Sequence, residues 1–330
     1  MLRCLITGGA GFIGSHLAEE LIAQGEQVTV IDDLSSGCLQ NLAVVGDHPR
    51  FRFVQGSILD RNVIAELLAE ADEVYHLAAV VGVGQVAQSA IQTIKTNLHG
   101  TLVLLEELAR VAPGRQVRLL LPSSSEVYGN NPRPQWEEDD CLVFGPTTSR
   151  RWSYGLAKAL DEVLALAYWR EKGLPVVTVR LFNVSGPRQT GQQGMVLPRL
   201  VEAALGGGPL IVHDDGRQVR CFVHVADVVP AMIALMRNRR AIGGVFNIGS
   251  DEPVTILELA QRVAAMVDPG LKIEFRQFAA EYGSNFEDCR RRVPDLGRLR
   301  QTIGFAPRHK LQDIIRDVIA WHRGQSSAQR

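Results

Sequence analysis

A chain of 330 residues has room for one large α/β unit with an annex, or for two closely joined domains. Its 46% hydrophobic and 22% charged residues are ordinary for a globular protein, and a net charge of -1 gives no long-range pull toward nucleic acid or an acidic membrane. No apolar run spans a bilayer and no charged leader precedes the first one, so a cytoplasmic protein is expected; five scattered cysteines, with no paired or His-supported spacing, predict no metal site.

In chain order, residues 2–6 read as a strand, 13–24 as a helix, and 28–31, 51–54 and 74–77 as further strands. Residues 97–111 carry Leu102, Leu105 and Leu108 at helical spacing; 117–121 is a strand; 153–172 is a second long helix with Leu156, Leu160, Leu164 and Ala167; and 176–181 is again a strand. Strands separated by helices imply right-handed crossovers and a parallel sheet covered on both faces, a Rossmann-type doubly wound α/β fold. Beyond Leu181, Gly186-Pro187, Gly191, Gly194 and Gly206-Gly207-Gly208-Pro209 break the rhythm before strands at 220–223 and 245–248 and a helix from Asp227. The expected division is a first domain over 1–184, rejoined by 222–255, and a smaller C-terminal α/β substrate-binding domain from 185–221 and 256–330. Both long helices are apolar over more than one face, which fits a homodimer built on 97–111 and 153–172, or two well-covered helices in a monomer.

Between the first strand and first helix lies Thr7-Gly8-Gly9-Ala10-Gly11-Phe12-Ile13-Gly14. Its glycines permit a tight turn, close approach of a pyrophosphate and close packing of helix on strand, with the helix N-terminus facing the phosphates. A structural turn is the alternative, but a strand before and a helix after are the context that a dinucleotide loop requires. The second strand runs into Asp32-Asp33; a carboxylate at Asp32 accepts ribose hydroxyls and repels a 2′-phosphate, so NAD is expected over NADP. Ser57-Ile58 could flank the adenine, while Asp60 caps the helix that follows.

The serines of Ser123-Ser124-Ser125-Glu126-Val127-Tyr128-Gly129 precede a Tyr and a Lys one helical turn apart in Tyr154-Gly155-Leu156-Ala157-Lys158. Lysine occurs at only five positions (95, 158, 172, 272, 310), so one placed beside a Tyr is informative. A neighbouring ammonium and the charge of a nicotinamide both favour phenolate, and bringing a phenol from about 10 to about 7 takes roughly 4 kcal/mol. Tyr154 is then the base that takes an alcohol proton as hydride leaves for NAD; a surface Tyr–Lys pair is the bland alternative.

These segments, with His76-Leu77-Ala78-Ala79, Asn97, Arg180-Leu181-Phe182-Asn183, Gly186-Pro187-Arg188, Arg220-Cys221-Phe222-Val223-His224-Val225 and Phe246-Asn247-Ile248-Gly249, resemble the extended short-chain dehydrogenase/reductases that remodel nucleotide sugars. The resemblance implies tightly held NAD, a UDP- or dTDP-sugar substrate, a homodimer, and transient oxidation at the sugar C4. It implies cofactor contacts at Gly8, Gly11, Phe12, Ile13, Gly14, Asp32, Ser57, Ile58, Leu77, Ala78, Ala79, Asn97, Tyr154 and Lys158. Ser124 would bond the C4 oxygen, Val81 and Gly82 would lie near the sugar, Asn183 and Arg220 near the diphosphate, and Val196 and Leu197 near the base.

Ser125-Glu126 is similar to the UDP-glucuronate decarboxylases, whereas dehydratases typically read Asp-Glu there and simple 4-epimerases have small residues. Pro146…Arg151-Trp152-Ser153-Tyr154 and Arg292-Val293-Pro294-Asp295 are similar to the same decarboxylase branch, which implies that Arg292 balances a substrate carboxylate or assists protonation at C5. Ser185, where an aromatic commonly precedes Gly186, and the acids of Phe286-Glu287-Asp288 depart from the pattern. The leading expectation is a UDP-glucuronate decarboxylase-like enzyme; a UDP-hexose or UDP-uronate 4-epimerase follows, then a dehydratase and a non-catalytic NAD sensor.

Overall fold

The computed structural model describes residues 1–81, 89–111, 114–191, 194–278 and 289–328, with side chains through 325. The chain alternates β1 (Arg3–Thr7), α1 (Phe12–Ala23), β2 (Gln27–Asp32), β3 (Phe51–Gln55), α2 (Arg61–Glu70), β4 (Glu73–His76), α3 (Ala90–Ile94), α4 (Gly100–Val111), β5 (Arg118–Ser124), α5 (Ser153–Lys172) and β6 (Val176–Leu181). Short strands follow at β7 (Val184–Ser185), β8 (Leu210–His213), β9 (Val219–Cys221) and β10 (Val223–His224), with α6 (Val196–Leu205) between β7 and β8. The remainder is α7 (Val225–Arg237), β11 (Val245–Ile248), β12 (Pro253–Thr255), α8 (Ile256–Val267), β13 (Ile273–Arg276), α9 (Gly297–Ile303) and α10 (Leu311–Ala328).

Seven strands form one sheet in the order β11-β6-β5-β4-β1-β2-β3, and every pairing is parallel. Alternate side chains feed opposite cores, as strand periodicity requires. Cys4, Ile6, Val28, Val30 and Leu120 pack with Leu17 and Leu21 of α1 and Val228 and Met232 of α7. Leu5, Ile31, Leu119 and Leu121 pack on the other face with Leu67 of α2, Leu104 and Leu108 of α4 and Ala165 of α5. Connections from β1 and from β4 run in opposite directions across the sheet, so a crevice opens at their C-terminal ends, beside Gly8 and Leu77. A separate core joins α6, α8 and α10 with β8 through Leu197, Leu200, Val212, Leu259, Val263, Ile314 and Val318. No helix among the described residues is long and apolar enough to cross a membrane.

Three local features differ from the sequence reading. The strand expected at 220–223 is two: β9 pairs antiparallel with β12 and β10 pairs parallel with β7, because Phe222 between them turns into the α6–α8–α10 core. The helix expected from 97 begins at Ala90 and passes through a π-helical turn, Lys95–His99. The exposed apolar surface expected on both long helices lies on α5, at Leu156, Leu160 and Val163, and on α3, at Ile91 and Ile94; α4 buries Leu104, Leu105 and Leu108.

Candidate active site

The loop after β1 is shaped by what cannot fit. Gly8 adopts a φ of 69°, and a Cβ on it would sit 2.6 Å from the Ala78 nitrogen. A Cβ on Gly14 would lie 2.5 Å from the Gly8 carbonyl oxygen, so α1 starts against the turn itself. Gly11 caps α1 without a side-chain bond and no acidic residue occupies the first turn, which leaves the amides of Phe12, Ile13 and Gly14 suited to a phosphate.

Asp32 ends β2 with its carboxylate accepting from the Ala10 amide at 3.0 Å and the Leu34 amide at 2.8 Å. Burial raises its pKa, the two amides oppose the rise, and the charge of Asp33 adds to it. These features fit NAD: a cradle closed to side chains, free helix amides and a carboxylate at the end of the second strand. Ser57 accepts from the Leu59 amide, and the Ile58 side chain packs inward against Gly100. Asp60 caps α2 through the amides of Asn62 and Val63.

Leu77, Ala78, Ala79 and Val81 form a half-buried wall opposite this loop. Asn97, fully buried in the π-helical turn, accepts from the Val80 amide at 2.7 Å and donates to the Val80 carbonyl at 3.1 Å. Its amide thus holds that wall in place. Gly82 and Phe286-Glu287-Asp288 lie outside the described residues.

Ser124 ends β5, and Tyr154 opens α5 beside it. Gly155 lets the helix come this close, since a Cβ there would sit 2.7 Å from the Glu126 carbonyl oxygen. The Ser124 hydroxyl accepts from the Glu126 amide at 3.2 Å and lies near enough to the Tyr154 phenol to influence its acidity. The expected depression of the phenol involves a nicotinamide's charge as well as Lys158, and the protein's own groups act in the other direction. Burial raises Tyr154 well above its ordinary value; the Ser124 hydroxyl opposes that, and the charges of Glu126 and Asp161 reinforce it. Lys158 is bonded to Asp161 and to the Pro122 carbonyl, each at 3.2 Å.

Glu126 forms ion pairs with both Arg151 and Arg292. Burial would raise its pKa, but Arg151, Arg292 and the more distant Arg220 hold it at about 2, so it is a carboxylate at any physiological pH. Arg292 is fixed through its backbone: its amide donates to the Val219 carbonyl at 3.0 Å, and Trp136 bonds on to Val293 and Asp295. That pairing sets Arg292 beside Arg220 of β9 and turns it inward, while Arg290 stays exposed on Asp215 and Arg291 reaches the Pro134 carbonyl. Ser125 is buried beside Glu126. Asn183, at φ 38°, donates to the Cys221 carbonyl at 2.7 Å and ties the loop after β6 to β9. At the start of α6, Val196 is half-exposed, but the Leu197 side chain belongs to the second core and offers only backbone to a ligand.

The structure therefore brings Ser124, Glu126, Tyr154, Arg220 and Arg292 to one region. The sequence reading did not assign a role to Arg151, although it stands three residues before Tyr154, one turn away at the same helix start, and is almost fully buried. A buried network behind Lys158 was missed as well. His76 bonds Thr7 at 2.8 Å and Thr101 at 3.3 Å, and burial together with Lys158 depresses its pKa to about 3.

A model of the NAD dependent epimerase/dehydratase family matches residues 4–249. The chain is 40% identical to a UDP-N-acetyl-alpha-D-glucosaminuronate decarboxylase of Bacillus cytotoxicus, over 97% of this chain and 98% of that protein. It is 35% identical to UDP-glucuronic acid decarboxylase 1 of Arabidopsis thaliana, over 98% of this chain and 70% of that one. Among solved structures it resembles the UDP-glucuronic acid 4-epimerase of Bacillus cereus in complex with UDP-glucuronic acid and NAD, with a TM-score of 0.86, 26% identity, and coverage of 98% and 100%.

Proposed function

From a chain that belongs to the NAD dependent epimerase/dehydratase family, we propose an enzyme that decarboxylates a UDP-uronate, UDP-glucuronate in the first instance, through transient oxidation of the sugar at C4. The observation that carries this reading is the ion-pair cluster in which two buried guanidinium groups bracket an ionised Glu126, with a third at Arg220. Guanidinium groups gathered at this turn are suited to a diphosphate and to a carboxylate on C5.

Bound NAD supplies the hydride acceptor at C4 and, where the ketone is reduced again, the donor. Tyr154 takes the C4 hydroxyl proton while Ser124 holds the oxygen. The resulting ketone is β to the carboxylate, so the C5–C6 bond breaks to CO2 and its electron pair delocalises onto the C4 oxygen. A proton then enters at C5, giving the 4-keto pentose or, after reduction, the pentose. Arg292 balances the carboxylate before CO2 leaves. Glu126, already ionised at neutral pH, is not the acid that a dehydratase needs to expel a 6-hydroxyl.

Asn183 and Arg220 are assigned to the diphosphate, Val196 and the Leu197 backbone to the base, and Val81 and Gly82 to the sugar. We read 185–221 and 256–330 as the sugar-nucleotide lobe and the apolar strip on α3 and α5 as a homodimer face. A 4-epimerase is the second reading, because Ser124, Tyr154 and Lys158 alone suffice for it and the epimerase structure above shares the fold over the whole chain. The test is purified protein with UDP-glucuronate and, separately, UDP-N-acetylglucosaminuronate, followed by CO2 release and NMR of the sugar. CO2 with a pentose or 4-keto pentose is expected from one of them; UDP-galacturonate without CO2 would transfer the assignment to the epimerase.

A further inference from the structure

Lys158 and Asp161 form an ion pair that is closed to solvent: Asp161 has no exposed surface and Lys158 is 3% exposed. Tyr154, Lys158 and Asp161 follow a four-then-three spacing along α5, so all three lie on one stripe of the helix, that facing β5. The Lys158 ammonium is held at 3.2 Å from Asp161 Oδ2 and 3.2 Å from the Pro122 carbonyl oxygen.

Among the described residues, Lys158 is the cation bonded to Asp161. On its own helix Glu162 is bound to Arg180 of β6, at 2.7 Å. From α4 comes the neutral Thr101, and behind it the uncharged His76 of β4. Glu126, from the turn after β5, adds a further negative charge near Tyr154. Within the stripe, Asp161 is therefore the counter-charge of the lysine.

We propose that Asp161 is a positioning residue of the proton-transfer centre: it pins the Lys158 ammonium against Pro122 and offsets its charge, so that Tyr154 remains a phenol until the positive charge of oxidised NAD arrives. Proton abstraction is thereby tied to the oxidised cofactor. This rests on Tyr154 being the base.

Two turns of helix put Asp161 about 10 Å from Tyr154 along the axis, where a unit charge in a partly dry site moves a titration by about one pH unit. The test is titration of NAD-loaded protein by tyrosinate absorbance, with Tyr154→Phe subtracted, for wild type and Asp161→Asn. In Asp161→Asn the Tyr154 step should appear about one pH unit lower, and the acid limb of kcat/KM with the UDP-uronate should move with it. An unmoved step, with only thermal stability reduced, overturns the inference and leaves Asp161 as packing. Should Asp161→Asn fail to fold, Asp161→Ser, which leaves space for water, carries the same expectation. If wild type and Tyr154→Phe titrate alike and turn over alike, the base assignment fails and this inference with it.

Discussion

Glu126 shows how far a single side chain can organise a site. Arg151 and Arg292 are both under a tenth exposed, so neutralising their shared partner would take an ion-pair carboxylate away from two buried guanidinium groups. Glu126→Gln should therefore cost roughly 3–5 kcal/mol of stability, read by denaturant unfolding, and abolish turnover. Ser124, Glu126, Tyr154, Lys158 and Arg292 were legible in the sequence because each sits in a short segment whose residue types suit one chemistry. Arg151 was not legible as a site residue, since its partner lies on the turn after β5, far away in sequence. Asp161 belongs to no motif in the sequence, and only the packing of α5 on the sheet buries it. Spacing placed an ammonium near the Tyr154 phenol, but only tertiary structure shows that the same ammonium also bonds Asp161.

The helices and strands themselves were more legible than their outer faces. Apolar periodicity located α1, α5 and the sheet strands to within a few residues, because buried parallel strands and amphipathic helices leave strong patterns. It did not tell which leucines meet the core and which meet solvent. Leu105 and Leu108 of α4 are buried, while Leu160 and Val163 of α5 are 44% and 60% exposed with Ile91 of α3 at 83%. These exposed apolar side chains are the ones the proposed homodimer would cover. The double substitution Leu160→Glu and Val163→Glu should shift the protein from dimer to monomer in size-exclusion chromatography with light scattering, leaving far-UV circular dichroism unaltered. A monomeric wild type would remove the dimer from the proposal.

At the scale of the molecule, stability should depend on acid more steeply than carboxylates alone would make it. His16 and His76 are held at about 4 and about 3, and His224 is lowered too, in each case chiefly by burial. The unfolded chain binds protons that the folded one refuses, so stability is full above pH 6.5 and is lost as pH falls toward the folded values. His76 alone, at 1% exposure, should remove about 2 kcal/mol between pH 7 and pH 5, measured by denaturant unfolding at the two pH values. Glu126, depressed in the folded state, adds a loss below pH 4.5 as it approaches its value of about 2. The order of strands carries a different consequence, one of timing. β11 completes the sheet beside β6, yet it is synthesised only after the whole excursion through α6, β8, β9 and α7. Until residue 248 has left the ribosome, β6 is a bare parallel edge, rich in valine and able to pair with the wrong chain. The nascent protein must therefore either fold late or be shielded early, and a fragment ending at the close of β6 would carry that sticky edge permanently.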